Sequence, residues 1–138
     1  MNVHSRFETE LQVRPDDIDM FQHVHSSRYM DYVLAARVDQ MGRCYGMAWE
    51  EYIKRGLGWF LFSTRMEFLR PLMMGDRFIV RTWIEDIPGP DTARVCFEID
   101  RLPARKRCFQ GEASYKLVQL STGRAVAIPE DIRARFEI

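Results

Sequence analysis

The sequence contains little of what disulfide-linked, metal-bound or membrane-spanning proteins need. Its three cysteines, Cys44, Cys96 and Cys108, are an odd number without a C-x-x-C spacing, which argues against a disulfide framework or a zinc site. No apolar run approaches the roughly 20 residues that span a bilayer. Residues 1–10 hold no apolar stretch of the kind found in signal peptides. We therefore expect reduced thiols, no bound metal, no membrane partner and a cytoplasmic location.

The chain also lacks an excess of charge of either sign. It has 20 basic and 20 acidic residues, so its formal net charge is zero and nothing drives binding to nucleic acid. A G-x-S-x-G elbow and a glycine-rich phosphate loop are absent, which leaves serine-hydrolase chemistry without support and predicts no cofactor. The 138 residues, 46% of them hydrophobic, suit a single domain over residues 1–138 with a core of its own.

The first part of the chain alternates and then becomes helical. Residues 7–13 place apolar and polar side chains on opposite faces, which predicts a strand with one wet face. Residues 27–41 carry apolar side chains at helical spacing, and Ser26 or Ser27 is the expected N-cap. Residues 49–55 indicate a second, short helix.

The rest of the chain predicts four long strands joined by turns, which makes neighbouring strands antiparallel. The alternating segments are residues 59–69, 78–85, 93–99 and 108–120, and Pro129 is expected at the first position of a short C-terminal helix. In the first of these strands, one face is expected to hold Phe60, Phe62, Thr64, Met66 and Phe68. The early helix is the one large apolar object that can cover such a sheet. The pattern therefore predicts an α+β protein, a curved antiparallel sheet wrapped around a long central helix.

The loop between the first strand and the helix gathers the candidate catalytic groups. Asp17, Asp19, His23 and His25 all lie just before the expected helix N-terminus. A carboxylate at that position can attack a carbonyl or direct water onto it, and the helix amides can receive the charge that develops on the oxygen. The same residues also fit a polar loop in which an aspartate bonds its own backbone. A metal site is disfavoured because no cluster elsewhere supplies a third ligand.

Two motifs carry a family resemblance. The first reads Asp17-Ile18-Asp19 and then Gln22-His23-Val24-His25-Ser26, with Tyr29 following, and it is similar to a D-x-D segment followed by G-H-V-N-N-x-x-Y at a helix start. The second, Phe68–Asp76, is similar to a Y-x-x-P-x-x-x-G-D turn. Both motifs, in this order of elements, resemble the hotdog fold of the 4-hydroxybenzoyl-CoA thioesterase-like acyl-CoA thioesterases. The resemblance covers about residues 7–120.

The resemblance implies an acyl-CoA thioesterase whose catalytic carboxylate is Asp19, acting as the nucleophile or as a general base on water. Amides around Val24 to Ser27 would polarise the thioester carbonyl. A homodimer, often paired into a tetramer, is also implied. In it, the acyl-CoA would lie between the loop and helix of one chain and the sheet of its partner.

The neighbouring residues have alternative roles. His23 either assists Asp19 as a second catalytic residue or only holds the loop, and Asp17 would raise the pKa of Asp19 if both carboxylates face the site. Tyr29 contacts the acyl group or belongs to the core. The expected substrate-binding residues are Asp17, Val24, His25, Ser26 and Tyr29, with Arg105, Lys106 and Arg107 for the CoA phosphates. Arg65, Arg70 and Arg101 are further candidates for the phosphates.

The sequence departs from the family pattern at two places. Gln22 stands where the family has Gly, and His25-Ser26 stand where it has Asn-Asn. Because both departures touch the presumed oxyanion region, a non-catalytic module that binds acyl-CoA stays open as a rival function. A thioesterase that acts on acyl carrier protein is a second rival. A hotdog dehydratase or hydratase is a third, which is disfavoured because those enzymes generally place their Asp and His differently.

Overall fold

A five-stranded antiparallel sheet forms the frame of the protein in the computed structural model, which describes residues 4–138. Residues 1–3, part of the segment for which no signal peptide is expected, lie outside the described residues. The strands are β1 (Phe7–Gln12), β2 (Leu57–Phe68), β3 (Arg77–Asp86), β4 (Thr92–Arg101) and β5 (Lys106–Gln119), and the helices are α1 (Tyr29–Arg43), α2 (Trp49–Lys54) and α3 (Glu130–Phe136). The strand order in space is β1-β3-β4-β5-β2, which leaves β2 at an edge. The predicted α+β class is confirmed.

Helix α1 lies on the β1 and β3 side of the sheet. Its buried face includes Val33 and Ala36, which belong to one continuous hydrophobic core. A buried polar pair fixes the helix on the strands: Gln40 accepts a hydrogen bond from the Thr82 hydroxyl and donates to the Thr9 hydroxyl at 3.0 Å. No helix among residues 4–138 is long and apolar enough to cross a bilayer.

The start of α1 differs from the prediction. A 3-10 turn over Ser26–Arg28 precedes the α-helix, which begins at Tyr29, and no side chain caps it. The prediction that Ser26 or Ser27 caps the helix is therefore wrong. The 3-10 turn occupies the place of the cap because the Arg28 amide bonds back to the His25 carbonyl at 2.9 Å.

The face assignment in β2 was also partly wrong. The register against β5 shifts between Leu61 and Ser63, so a β-bulge exchanges the two faces at that point. Met66 and Phe68 face α1 as predicted, since Phe68 pairs with the buried Phe109. Before the bulge, however, Leu61 takes the inner face opposite Tyr115. Phe60 and Phe62 therefore lie on the outer face, where the prediction had placed them on the inner one.

The C-terminal helix closes one end of the sheet. In α3, Phe136 stacks on Trp59 with ring centroids 5.7 Å apart and meets the edge of Tyr45 at 5.4 Å. Pro129 is the N-cap of this helix, one position earlier than predicted.

Candidate active site

The loop before α1 is held as a small hairpin that carries Asp19. The Asp19 amide donates to the His23 carbonyl at 2.8 Å, and Ile18 bridges to Val24. At the tip, Gln22 has a φ of 64°, a left-handed conformation that glycine adopts more readily than other residues. This geometry explains why the family pattern has Gly at this position. In this chain Gln22 adopts the same left-handed conformation although it carries a side chain.

The second motif holds this hairpin in place. His23 forms a bridge with Met73, the Met74 amide donates to the Gln22 carbonyl at 3.0 Å, and the Asp76 carboxylate accepts the Met73 amide at 2.8 Å. The two motifs that the sequence analysis treated separately therefore form one unit. One motif presents the carboxylate and the other fixes its position.

The Asp19 carboxylate is oriented by backbone amides. Its Oδ1 accepts hydrogen bonds from the amides of Phe21 at 2.9 Å and His23 at 3.2 Å. Desolvation raises the pKa of the carboxyl, but these two amides, together with the charges of His23 and His25, outweigh it and hold the Asp19 pKa below its ordinary value of 3.8. Asp19 is therefore an ionised carboxylate at neutral pH, as a nucleophile or a general base must be.

A groove of about 400 Å³ opens beside this carboxylate. It is lined by Asp19, His23, Val24, Ser26, Tyr29, Phe68, Leu69, Arg70 and Pro71. The first five were predicted site residues, and the last four come from the second motif. That motif was recognised in the sequence, but of its side chains only Arg70 was considered for the substrate, as a candidate for the CoA phosphates.

Tyr29 serves both the groove and the core. Its side chain is buried, and its hydroxyl accepts the Leu72 amide at 2.9 Å. Its ring meets the edge of Phe68 at 5.3 Å, so that Phe68, about half exposed, forms the groove wall in front of it. The groove therefore has apolar aromatic side chains as well as the Asp19 carboxylate in its lining.

Asp17 does not line the groove. Its carboxylate is buried, accepts the Tyr32 hydroxyl at 2.6 Å and lies 3.5 Å from the Arg28 guanidinium. Burial and the neighbouring Asp17 carboxylate raise the pKa of Tyr32, so the phenol keeps its proton and remains a donor. Asp17 therefore anchors the loop to α1.

We expect Tyr32→Phe to destabilise the protein by about 1.5 kcal/mol, because it leaves the buried Asp17 carboxylate without its phenol donor. Urea denaturation of the wild type and the variant measures this loss. Asp16→Ala is the matched control, since the exposed Asp16 pairs only with the exposed Arg14. Equal stability of the wild type and Tyr32→Phe would show that Asp17 is not an anchor.

The predicted oxyanion donors are only partly available. The Val24 amide donates to the Leu72 carbonyl and the His25 amide to the Asp17 carbonyl, at 2.8 and 2.9 Å, so the prediction is wrong for these two amides. Within residues 4–138, the amides of Ser26 and Ser27 have no hydrogen-bond acceptor. Val24 and Ser26 still line the groove, whereas the His25 side chain is exposed and outside it.

The predicted phosphate-binding residues also lie outside the groove. Arg105 contacts Glu8 at 3.2 Å, and Arg107 pairs with Glu98 and Asp100, so both guanidinium groups already have carboxylate partners. Lys106 is exposed at the start of β5. These ion pairs make Arg105 and Arg107 poor candidates for binding phosphate.

One basic side chain does line the groove. Arg70 contributes to its wall and donates to the Arg107 carbonyl at 2.9 Å.

No group of three or more potential metal ligands occurs in the part of the chain that the structure describes.

Fold and groove together define a hotdog protein with a carboxylate beside an open, partly apolar cleft. A family model described as the thioesterase-like superfamily matches residues 13–136, and the chain belongs to this superfamily. The predicted hotdog fold and thioesterase-like family are therefore confirmed.

Particular relatives carry thioesterase names. The chain is 32% identical over 132 residues to the chloroplastic acyl-acyl carrier protein thioesterase ATL3 of Arabidopsis thaliana, a match that covers 94% of this chain and 66% of that protein. This chain thus spans about two thirds of the length of ATL3. It is 19% identical over 131 residues to the long-chain acyl-CoA thioesterase FadM of Escherichia coli, covering 94% of this chain and 96% of FadM.

A solved structure shares the fold throughout. Slr0204, a 1,4-dihydroxy-2-naphthoyl-CoA thioesterase from Synechocystis, superimposes with a TM-score of 0.85 at 16% sequence identity, and 96% of each chain is covered. At this identity the likeness shows the fold alone.

Proposed function

We propose that the protein hydrolyses acyl-CoA thioesters in the groove beside Asp19. The observation that carries this proposal is the ionised Asp19 carboxylate, which two amides orient at the mouth of a cleft with an aromatic wall. A thioester needs no metal or catalytic triad, because its carbonyl is activated and a thiolate leaves readily. The membership of the thioesterase-like superfamily supports the same chemistry.

Two routes use the same geometry. In the covalent route, an Asp19 oxygen bonds to the thioester carbon, the C–S bond breaks, and the thiolate leaves and takes up a proton. Water then cleaves the anhydride, which releases the free acid and restores Asp19. In the other route, Asp19 removes a proton from a water molecule as the water oxygen bonds to the carbonyl carbon. The C–S bond then breaks, and the thiolate leaves and takes up that proton.

The neighbouring groups would assist either route. The negative charge that develops on the carbonyl oxygen needs donors, and the amides of Ser26 and Ser27 are the available ones in this region of the described chain. His23 orients Asp19 through its amide, and its side chain also lines the groove.

The unpaired edge of β2 supports the expected homodimer. β2 is the last strand of the sheet, and it carries several apolar side chains that are at least one-third exposed. They are Phe60, Phe62, Met66 and Phe68. An edge of this length and apolarity favours pairing with a second copy. Since Phe68 belongs to both this edge strand and the groove, such pairing would place the groove beside the partner chain.

An acyl-carrier-protein thioester is the second candidate substrate, because ATL3 carries that name and is 32% identical. Measuring thiol release from one acyl group, presented on CoA and on carrier protein, separates the two candidates. We expect the CoA ester to be hydrolysed faster, since the zero net charge gives the chain no general attraction to an acidic carrier. Faster hydrolysis of the carrier-protein ester would reassign the substrate.

A further inference from the structure

A second cavity, here named the inner pocket, lies between α1, α2 and the inner face of the sheet. Its volume is about 300 Å³. Apart from Arg37, the side chains that line it are hydrophobic or aromatic, and they include Trp59 and Leu61 of β2. Leu34, Val38 and Trp49 are 39–48% exposed, so they form a rim through which the pocket is open.

Arg37 is the exception in this apolar wall. Its side chain projects from the buried face of α1 and is only 7% exposed. Its Nη1 is buried without a hydrogen-bond partner, and the guanidinium forms no ion pair with any carboxylate of residues 4–138. The ring centroid of Tyr45 lies 5.8 Å from the guanidinium carbon.

A second buried donor lines the same pocket. The indole Nε1 of Trp59 also lacks a partner within the described residues. The phenol oxygen of Tyr45 is also buried without a hydrogen-bond partner, and Arg37 lowers the pKa of Tyr45 against the larger, raising effect of burial. The pocket thus combines apolar walls with two buried donors, Arg37 Nη1 and Trp59 Nε1, that have no hydrogen-bond acceptor among residues 4–138.

This combination specifies the chemistry of a ligand. A buried, unpaired guanidinium is costly, and a carboxylate offers the two oxygens that its planar fork can bind. The surrounding walls favour methylene or aromatic groups. The complementary ligand therefore has an apolar body that ends in a carboxylate.

The inner pocket and the Asp19 groove are both built on α1 and β2. Tyr29 of α1 and Phe68 of β2 line the groove, whereas Arg37 of α1 and Leu61 of β2 line the pocket. Tyr29 and Arg37 are eight residues apart on one helix, which separates them by about 12 Å along the helix axis. Leu34 of α1 and Met66 of β2, apolar side chains that are 39% and 38% exposed, come between these positions along the two elements.

We infer that the inner pocket binds the distal end of the acyl chain and that Arg37 selects substrates whose acyl group ends in a carboxylate, that is, ω-carboxyacyl thioesters. The inference rests on the proposed hydrolysis at Asp19, because that site fixes where the thioester end lies. Arg37 is a specificity-determining residue in this scheme and takes no part in the bond-breaking steps.

The test compares decanoyl-CoA with sebacoyl-CoA, which has the same chain length but ends in a carboxylate. We expect the wild type to favour sebacoyl-CoA, and Arg37→Met to lower kcat/KM for sebacoyl-CoA by about tenfold to a hundredfold, as loss of a charge-assisted hydrogen bond predicts. The rate with decanoyl-CoA should not fall. Arg37→Lys keeps the charge without the fork and should retain part of the preference. Arg43→Met, which changes an exposed arginine of the same helix, should leave both rates unchanged.

Binding of the free acids separates this inference from the proposed hydrolysis. Sebacate, but not decanoate, should raise the melting temperature of the wild type, and the shift should be absent in Arg37→Met. If sebacate shifts the melting temperature in this way but no acyl-CoA is hydrolysed, carboxylate binding in the inner pocket is supported and the proposed hydrolysis is rejected. An equal ratio of sebacoyl-CoA to decanoyl-CoA hydrolysis in the wild type and Arg37→Met would overturn the inference alone. A lower melting temperature or altered sedimentation of Arg37→Met would also overturn it. Arg37 would then stabilise the fold or the oligomer instead of binding the substrate.

Discussion

Replacing Gly111 by alanine should destabilise the protein by about 3 kcal/mol or more, the largest loss of stability we expect from one methyl group. Gly111 lies in β5 between Met66 of β2 and Phe97 of β4. A Cβ at this position would lie 2.0 Å from the carbonyl oxygen of Arg65 and 3.0 Å from the Phe97 ring. Because the nearer atom belongs to the backbone, the contact can be relieved only if β2 moves away from β5.

That movement would also affect the groove. Phe68 is the last residue of β2 and forms the aromatic wall of the groove, three strand positions from Arg65. We therefore expect Gly111→Ala to lose activity together with stability. Urea denaturation followed by circular dichroism measures the loss. Gly89→Ala is the control, since a Cβ there meets no atom within 4 Å. Equal stability of the two variants would show that β2 and β5 accommodate the methyl group.

The regular parts of the sheet were predictable because, in each strand, the alternation of apolar and polar residues indicates which face is buried. In β3 and β4, alternate residues such as Val80 and Phe97 are fully buried, as the period of two predicts. β2 follows the same rule on each side of its bulge, but the predicted faces are correct only for the residues after it. One extra residue between Leu61 and Ser63 reverses the faces, and no glycine or proline marks that position in the sequence.

The site was predictable in part for a similar reason. The local sequence places Asp19 and His23 before the helix, and the structure brings both to the groove. Local sequence does not determine where separate segments meet, so the pairing of His23 with Met73 was not predicted. The same limit applies to Asp17, whose partner Tyr32 is 15 residues away, and to Arg107, whose carboxylate partners lie on a neighbouring strand.

Asp19→Asn should lower thioester hydrolysis by about 10²–10⁴-fold while the protein stays folded. An amide is neither a nucleophile nor a base, so both routes fail, whereas its oxygen can still accept the amides of Phe21 and His23. The hairpin should therefore keep its shape, and the variant should melt near the wild-type temperature. Loss of activity with retained structure is the signature of a catalytic role.

The matched control for this variant is Asp16→Asn. Asp16 is three residues away in the same loop, but its exposed carboxylate pairs with Arg14 and does not line the groove. We expect Asp16→Asn to hydrolyse acyl-CoA at the wild-type rate. If both variants lost activity equally, the effect would belong to the charge of the loop rather than to the Asp19 carboxylate.

The most direct test is the rate of CoA thiol release from a panel of aromatic, short-chain and long-chain acyl-CoA esters, measured for the wild type and for Asp19→Asn in parallel. We predict that at least one ester is turned over by the wild type and that the folded variant leaves the same ester almost intact. Wild-type turnover by Asp19→Asn would contradict the assignment of hydrolysis to this carboxylate.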